Sequence, residues 1–194
     1  MRKVFIDCGA NDGDDIRNFL KIYEKKEYDI FAFECHDECI SALRSLKKKI
    51  DFTLIEKAIS TRDDVTTFYM GKSTKSGSIM KEKKKLMQKD KTYTVESIDF
   101  SNWLSANFSK DDYIILNFDI EGAEYDILEK MIEQDTISLI DEFYLEFHLY
   151  QCKSDTITAE RQARLLSKLK EIFDDKLYVC KIYQHEKFLK MNTC

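Results

Sequence analysis

The chain has 194 residues, 43% hydrophobic and 35% charged, with 31 Lys and Arg against 36 Asp and Glu and a formal net charge of −5. That length suits one compact domain over 1–194, and the composition excludes a disordered or fibrous chain. No apolar run approaches a membrane span, the stretch after Met1-Arg2-Lys3 is too short for a signal peptide, and the negative charge gives no general pull toward nucleic acid.

In chain order, 3–7 is an apolar strand ending in an acid, and 14–25 has helical spacing at Ile16, Phe19, Leu20 and Tyr23. A second strand over 29–34 precedes a helix over 37–49, with Ile40, Leu43 and Leu46 on one face, and 52–55 reads as a third strand. The run 113–119 is a strongly apolar fourth strand, followed by a helix over 123–133 and a fifth strand over 139–147. An amphipathic helix over 159–173 leads to 177–183 and 187–191, which are expected to close the fold as an antiparallel hairpin through Gln184-His185-Glu186. Strands alternating with helices imply a mainly parallel sheet covered on both faces, with ligands bound beyond the carboxyl ends of the strands.

The segment 71–91 breaks this rhythm. It holds Gly71, Gly77, several serines and a dense run of lysines, Lys81, Lys83, Lys84, Lys85, Lys89 and Lys91. A solvated insertion is the first reading of such a charge run. The alternative is a lid or a surface for an anionic acceptor, with Ser76-Gly77-Ser78 toward the pocket. The six cysteines show no CxxC pair and no zinc spacing, so reduced thiols used as small apolar residues are expected.

The informative stretch is Asp7-Cys8-Gly9-Ala10-Asn11-Asp12-Gly13, between the first strand and the first helix. Gly9 and Gly13 permit a tight turn and a close ligand approach, and the amides opening the helix suit an anionic group. Asp7 suits a ligand that also carries an ammonium. Glu34 ends the second strand about 20 residues past the turn, where an acid binds ribose hydroxyls in nucleotide-binding folds. Ribose plus amino acid describes S-adenosylmethionine. A nicotinamide cofactor would also use Glu34, but Asn11 occupies the second glycine position of its fingerprint.

These residues resemble the FkbM family of S-adenosylmethionine-dependent methyltransferases. The matching pieces are the glycine stretch from Val4 to Gly13, Phe31-Ala32-Phe33-Glu34, Glu56-Lys57-Ala58-Ile59-Ser60, Asp119-Ile120-Glu121-Gly122-Ala123-Glu124 and Leu145-Glu146-Phe147-His148. The resemblance implies a Rossmann-like class I methyltransferase fold, a mainly parallel seven-stranded sheet with helices on both faces and its last strand antiparallel. It also implies methyl transfer to a hydroxyl on a sugar or natural-product scaffold. Asp7, Gly9, Asn11 and Gly13 would then surround the methionine part of the cofactor, with Asp12 beside them. Glu34 would hold the ribose with Cys35 next to it, and Ala58 would lie against the adenine. Two departures stand out: Asn117 replaces the lysine usual two residues before the Asp119 motif, and the chain starts almost at its first strand. It is expected to be a minimal enzyme or one domain of a longer protein.

Methyl transfer needs the acceptor oxygen aligned with the methyl group and a base to take its proton. Asp119 and Glu121 fall on the same side of the chain just past the fourth strand, and His148 follows the fifth. Asp119 is expected to touch both cofactor and acceptor, with His148 or Glu121 taking the proton. The same three would also suit Mg²⁺ or Mn²⁺ better than zinc; the metal-free alternative is preferred. His36 and His185 are weaker candidates, and Trp103 reads as packing against the sheet. The acceptor is expected to be a small molecule or glycan rather than nucleic acid, and the location cytoplasmic.

Overall fold

A computed structural model describes residues 1–180. Strand β1 (Lys3–Cys8) leads to the short helix α1 (Asp14–Phe19), and β2 (Tyr28–Phe33) to α2 (Asp37–Lys47) and β3 (Thr53–Ile55). Next come β4 (Ala58–Ser60), β5 (Asp64–Gly71), β6 (Met87–Asp99) and α3 (Phe100–Asn107). Then β7 (Tyr113–Phe118) is followed by α4 (Glu124–Glu133), and β8 (Glu142–Glu146) by the single turn α5 (Leu149–Cys152). Helix α6 (Ala159–Phe173) and β9 (Leu177–Cys180) complete the described chain.

The main sheet has the order β3-β2-β1-β7-β8-β9 with every neighbouring pair parallel, a Rossmann-like arrangement. Its central strands read as continuous apolar runs because both faces are covered. Alternate residues divide between two layers. Val4, Ile6, Ile114 and Leu116 pack with Leu104, Leu128 and Leu169 of α3, α4 and α6. Phe5, Ile30, Ile115 and Tyr144 pack with Ile16, Phe19 and Leu43 of α1 and α2. The chain winds outward from β1 to β3 and then returns to the other side of β1 as β7. Strand order therefore reverses between β1 and β7, and a crevice opens there at the carboxyl ends.

Three expectations need correction. Among the described residues the main sheet has six strands, not seven; β9, the last of these, runs parallel to β8, with Phe143 opposite Leu177, and the strand expected to be antiparallel falls beyond it in the chain. The turn 184–186, the strand 187–191 and His185 lie outside the described residues. Helix α1 stops at Phe19 rather than continuing to 25. Phe19 stacks on Phe5 at 4.0 Å and on Tyr23 at 4.5 Å, and meets Tyr28 edge-on at 5.0 Å, so aromatic packing turns the chain back to the sheet.

The third correction concerns 71–91. Residues 64–99 form an antiparallel hairpin, β5 with β6, in register from Asp64 opposite Ser97 to Tyr69 opposite Thr92. Strand β4 joins β6 in parallel to complete a second, three-stranded sheet. Residues 87–91 thus belong to a strand, and only 72–86 form a loop at the hairpin's end. Lys89 and Lys91 are exposed on that strand, which leaves too few apolar residues to show a period of two.

Cys8, Cys35, Cys39 and Cys152 are free thiols, as expected. Among the described residues no helix is long and apolar enough to cross a membrane. Trp103 packs in a cluster with Phe31, Phe33, Phe100 and Phe108, on the sheet as its position suggests.

Candidate active site

At the carboxyl ends of β1, β2 and β7 and the start of β4 lies a cavity of about 510 Å³, of a size usual for small-molecule sites. Gly9, Asn11 and Asp12 of the glycine loop line it, with Glu34 and Cys35 after β2, Ala58 on β4, and Asp119 and Glu121 after β7. Eight residues singled out in the sequence therefore share one cavity. Asp7, Gly13 and His148 stand behind its wall.

The glycine loop is fastened from two sides. Gly9 and Ala10 both donate their backbone N–H to the Phe33 carbonyl at the end of β2, at 3.1 and 2.9 Å. Gly9 has φ +86°, and a Cβ there would sit 2.1 Å from the Asp119 carbonyl oxygen, so this glycine lets β1 and β7 converge under the cavity. Gly13, also left-handed, faces α2: its Cβ would meet Leu46 at 2.4 Å. It allows helix packing and does not line the cavity.

Glu34 completes the loop. Its Oε2 accepts from the Asn11 N–H, and its Oε1 accepts from the N–H groups of Cys35 and His36, each at 2.8 Å. Burial pushes this carboxyl above its usual range, opposed by the N–H groups of His36, Asn11 and Cys35. One carboxylate thus holds Asn11 in its left-handed conformation, φ +49°, and faces the cavity as well. The neighbouring Cys35 thiol is pushed up chiefly by burial and then by Glu34, so it lines the cavity as a neutral group. His36 caps α2, its Nδ1 accepting from the Glu38 N–H at 3.2 Å.

Asp7 is fully buried behind the loop. Asn117, beside it on β7, donates from Nδ2 to Asp7 Oδ1 at 2.8 Å and to Asp15 Oδ2 at 3.1 Å. The residue standing in for the expected lysine is therefore a neutral donor bridging two acids.

Past β7 the chain turns through Glu121 and Gly122, both left-handed at φ +61° and +117°. This turn sends Asp119 and Glu121 toward the cavity and Glu124 into the protein. Fully buried Glu124 lies 2.9 Å from His148 Nδ1 and accepts from the Gly122 N–H at 3.0 Å. His148 Nε2 points the other way, 3.5 Å from Glu121 Oε2, 3.6 Å from Asp119 Oδ1 and 3.8 Å from Glu146 Oε1. Burial opposes a charge on His148, but Glu124, Asp119 and Glu121 outweigh it and push its pKa up to about 9. A raised value favours the imidazolium at neutral pH, the state in which the ring does not accept a proton. The Glu121 carboxyl is pushed up by burial, with His148 and Lys83 pulling it down and Asp119 adding to the rise.

This raised value makes a thermodynamic prediction. A histidine whose folded pKa exceeds its unfolded value stabilises the fold fully below the unfolded pKa and progressively less as pH rises through the folded one. From 6.5 to about 9, the chain should lose on the order of 3 kcal/mol of unfolding free energy through His148. Urea unfolding of wild type and His148→Gln across this range checks it: the two curves should converge toward pH 9. Parallel curves would reject the assigned charge state.

Asp119, Glu121 and His148 bring one donor atom each within 4.8 Å of one another. Anchoring of Nδ1 by Glu124, which leaves Nε2 inward, is the arrangement that orients a metal-binding histidine. Opposing a cation there are two positive charges of the chain itself, His148 and the Lys83 ammonium paired with Glu121 Oε2.

The hairpin contributes a further part of the wall, of which sequence reasoning pointed only to the Ser76-Gly77-Ser78 turn. Phe68 on β5 and Thr74, Lys75, Gly77, Ser78 and Ile79 beyond it line the cavity. A Cβ at Gly77 would meet the Phe68 ring at 2.3 Å, so the Ser76-Gly77-Ser78 turn lies flat on that ring. The serine-glycine turn is the available signal; Phe68 has none, because its strand shows no apolar period. Among the described residues seven carboxylates line the cavity, Asp12, Asp14, Asp15, Glu34, Asp119, Glu121 and Glu146, against two lysines. Lys57 is paired with Glu96 at 2.9 Å and Lys75 with Asp14 at 3.3 Å.

A parallel sheet with this order reversal, a glycine loop at its crevice and an acid just after β2 define a Rossmann-like domain. Within that fold the chain belongs to the FkbM methyltransferase family: residues 7–174 match the family described as "Methyltransferase FkbM domain". It is similar to the 2-O-methyltransferase NoeI of Sinorhizobium fredii, 30% identical over 139 residues, which are 64% of this chain and 56% of that protein. The chain thus spans little more than half the length of that relative. No solved structure matches it significantly.

Proposed function

We propose that this chain is an S-adenosylmethionine-dependent O-methyltransferase acting on a hydroxyl of a sugar or glycan. The carrying observation is the convergence of the glycine loop, Glu34, Ala58 and Asp119 on one cavity whose wall is acidic. An acidic wall suits a ligand bearing a sulfonium and an ammonium and disfavours the pyrophosphate of a nicotinamide dinucleotide. Family membership supports methyl transfer, and the name of the Sinorhizobium relative, a 2-O-methyltransferase, supports a hydroxyl acceptor.

In this reading Glu34 holds the ribose, Ala58 lies against the adenine, and Gly9, Asn11 and Asp12 surround the methionine part. S-adenosylmethionine, when bound, supplies a methyl group on a sulfonium, open to in-line displacement. Asp119 lies between donor and acceptor. Glu121 accepts the proton of the acceptor hydroxyl, since His148 already carries one. Burial that raises the Glu121 carboxyl brings it closer to the value a base needs at neutral pH. His148, fixed by Glu124, orients both carboxylates and offsets their repulsion.

Calorimetric titration of the purified chain with S-adenosylmethionine, S-adenosylhomocysteine and NAD tests the donor half. Saturable binding of both sulfur compounds and none of NAD is expected. Binding of NAD in their place would overturn the reading. Transfer of a radiolabelled methyl group to a panel of mono- and oligosaccharides tests the acceptor half.

A further inference from the structure

Of the six lysines between 81 and 91, five are exposed and Lys83 is buried, its side chain wholly removed from water. A lysine in a solubilising run has no reason to be buried, and burying an ammonium is costly unless it is paired. Its partner is Glu121, through Oε2. The loop carrying it spans 72–86 and holds Glu121 a second time: the Ser78 hydroxyl donates to the Glu121 backbone carbonyl at 2.8 Å. Glu121 has φ +61°, a left-handed conformation that a glutamate adopts only when its surroundings impose it. One loop therefore grips both the backbone and the carboxylate of this residue.

The same loop covers the cavity with Thr74, Lys75, Gly77, Ser78 and Ile79. Its outer part rests on the turn after His148: the Lys84 N–H donates to the Gln151 carbonyl at 3.0 Å, and the Lys85 ammonium lies 4.0 Å from the centre of the Tyr150 ring. Its root is tied where the Lys72 N–H meets the Leu86 carbonyl at 2.6 Å and Gln88 Nε2 donates to the Gly71 carbonyl at 2.6 Å. Between root and tip, Lys83 supplies the buried charge.

We propose that residues 72–86 are a lid and that Lys83 is a positioning residue which latches it to Glu121, so that closing the cavity and aiming Glu121 are a single event. The proposal rests on the reading of this cavity as the donor site. Ligand exchange then requires the ion pair to break, and Glu121 is held in its left-handed turn only while the lid is down. Lys83 touches no reacting group; it acts through Glu121.

Hydrogen–deuterium exchange on the full chain tests this. In Lys83→Met the amides of 79–86, Lys84 above all, should exchange about tenfold faster or more, while those of 64–69 and the main sheet stay as in wild type. Lys83→Arg should restore protection, because it keeps the pair. Glu121→Gln, which is isosteric and leaves no cavity, should loosen the same amides, and adding Lys83→Met to it should give little more. Additive effects of the two changes, or unchanged exchange in Lys83→Met, would overturn the latch. If Lys83→Met does not fold, the Glu121→Gln and Lys83→Arg comparison decides alone. S-adenosylhomocysteine should further slow exchange of 79–86 in wild type. The variant comparison needs no ligand. Failure of that compound to bind would therefore remove the donor reading, while the exchange rates of the variants still decide for or against the latch.

Discussion

Replacing Glu34 by alanine should weaken S-adenosylhomocysteine binding about a hundredfold or more and lower the melting temperature at the same time. The carboxylate accepts three backbone N–H groups, from Asn11, Cys35 and His36, at 2.8 Å each. Hydrogen bonds to a charged group contribute about 1.5–3 kcal/mol each, and donors left unpaired in a buried site add a desolvation cost. Asn11 would also lose the contact that holds it at φ +49°, so the loop under the cavity would relax. On the proposed reading, loss of a carboxylate that holds the ribose comes on top of this. Glu34→Gln keeps an acceptor oxygen but turns an amide donor toward at least one N–H, and should fall between the two. Calorimetric titration and thermal melts of the three proteins measure both quantities. Wild-type affinity in Glu34→Ala would remove the ribose assignment.

Glu121→Gln should reduce turnover about 10²–10⁴-fold, the usual contribution of a general base, and change S-adenosylhomocysteine affinity by no more than about threefold. The direction of the pH dependence follows from the same residue. A base works only when deprotonated, so wild-type turnover should fall on the acid side as Glu121 takes up a proton. Burial places that limb above the usual carboxylate range. In Glu121→Gln this limb should disappear from the residual activity. Single-turnover rates across pH, with any sugar that supports transfer, make the measurement. A limb that survives in the variant would pass the role of base to Asp119, the other carboxylate beside His148 Nε2.

Much of the site is legible in the sequence because its residues sit at strand ends, where local pattern and chain position suffice. The glycine loop, Glu34 and Asp119 each follow an apolar run, and a parallel sheet brings such ends together. The register pairs Asp7 with Ala32 and with Asn117 across three adjacent strands, which places the residues that follow them around one crevice. Local pattern does not reveal direction. The motif puts Asp7 at the ligand, whereas Asn117 bridges it to Asp15 behind the loop. The same motif puts Gly13 at the cofactor, whereas it faces Leu46. His148 reads as one of two candidate bases, but its charge state depends on Glu124, a residue 24 positions away whose burial shows only in the fold.

The second sheet is the least legible part. Its strands carry lysines and acids on exposed positions, so neither composition nor period distinguishes them from a polar loop, yet the hairpin they form supplies Phe68, Ser78 and Lys83 to the site. By itself the sequence determined the Rossmann-like alternation, the glycine loop and the acids at the ends of β2 and β7, because apolar runs and turn residues act over a few neighbouring positions. Only the tertiary structure decided that β9 runs parallel to β8, that one lysine of six is buried against Glu121 and that Glu124, Asp119 and Glu121 surround His148 and raise its pKa. Each of those depends on the burial of charge or on partners far apart in the chain, and local pattern carries no record of either.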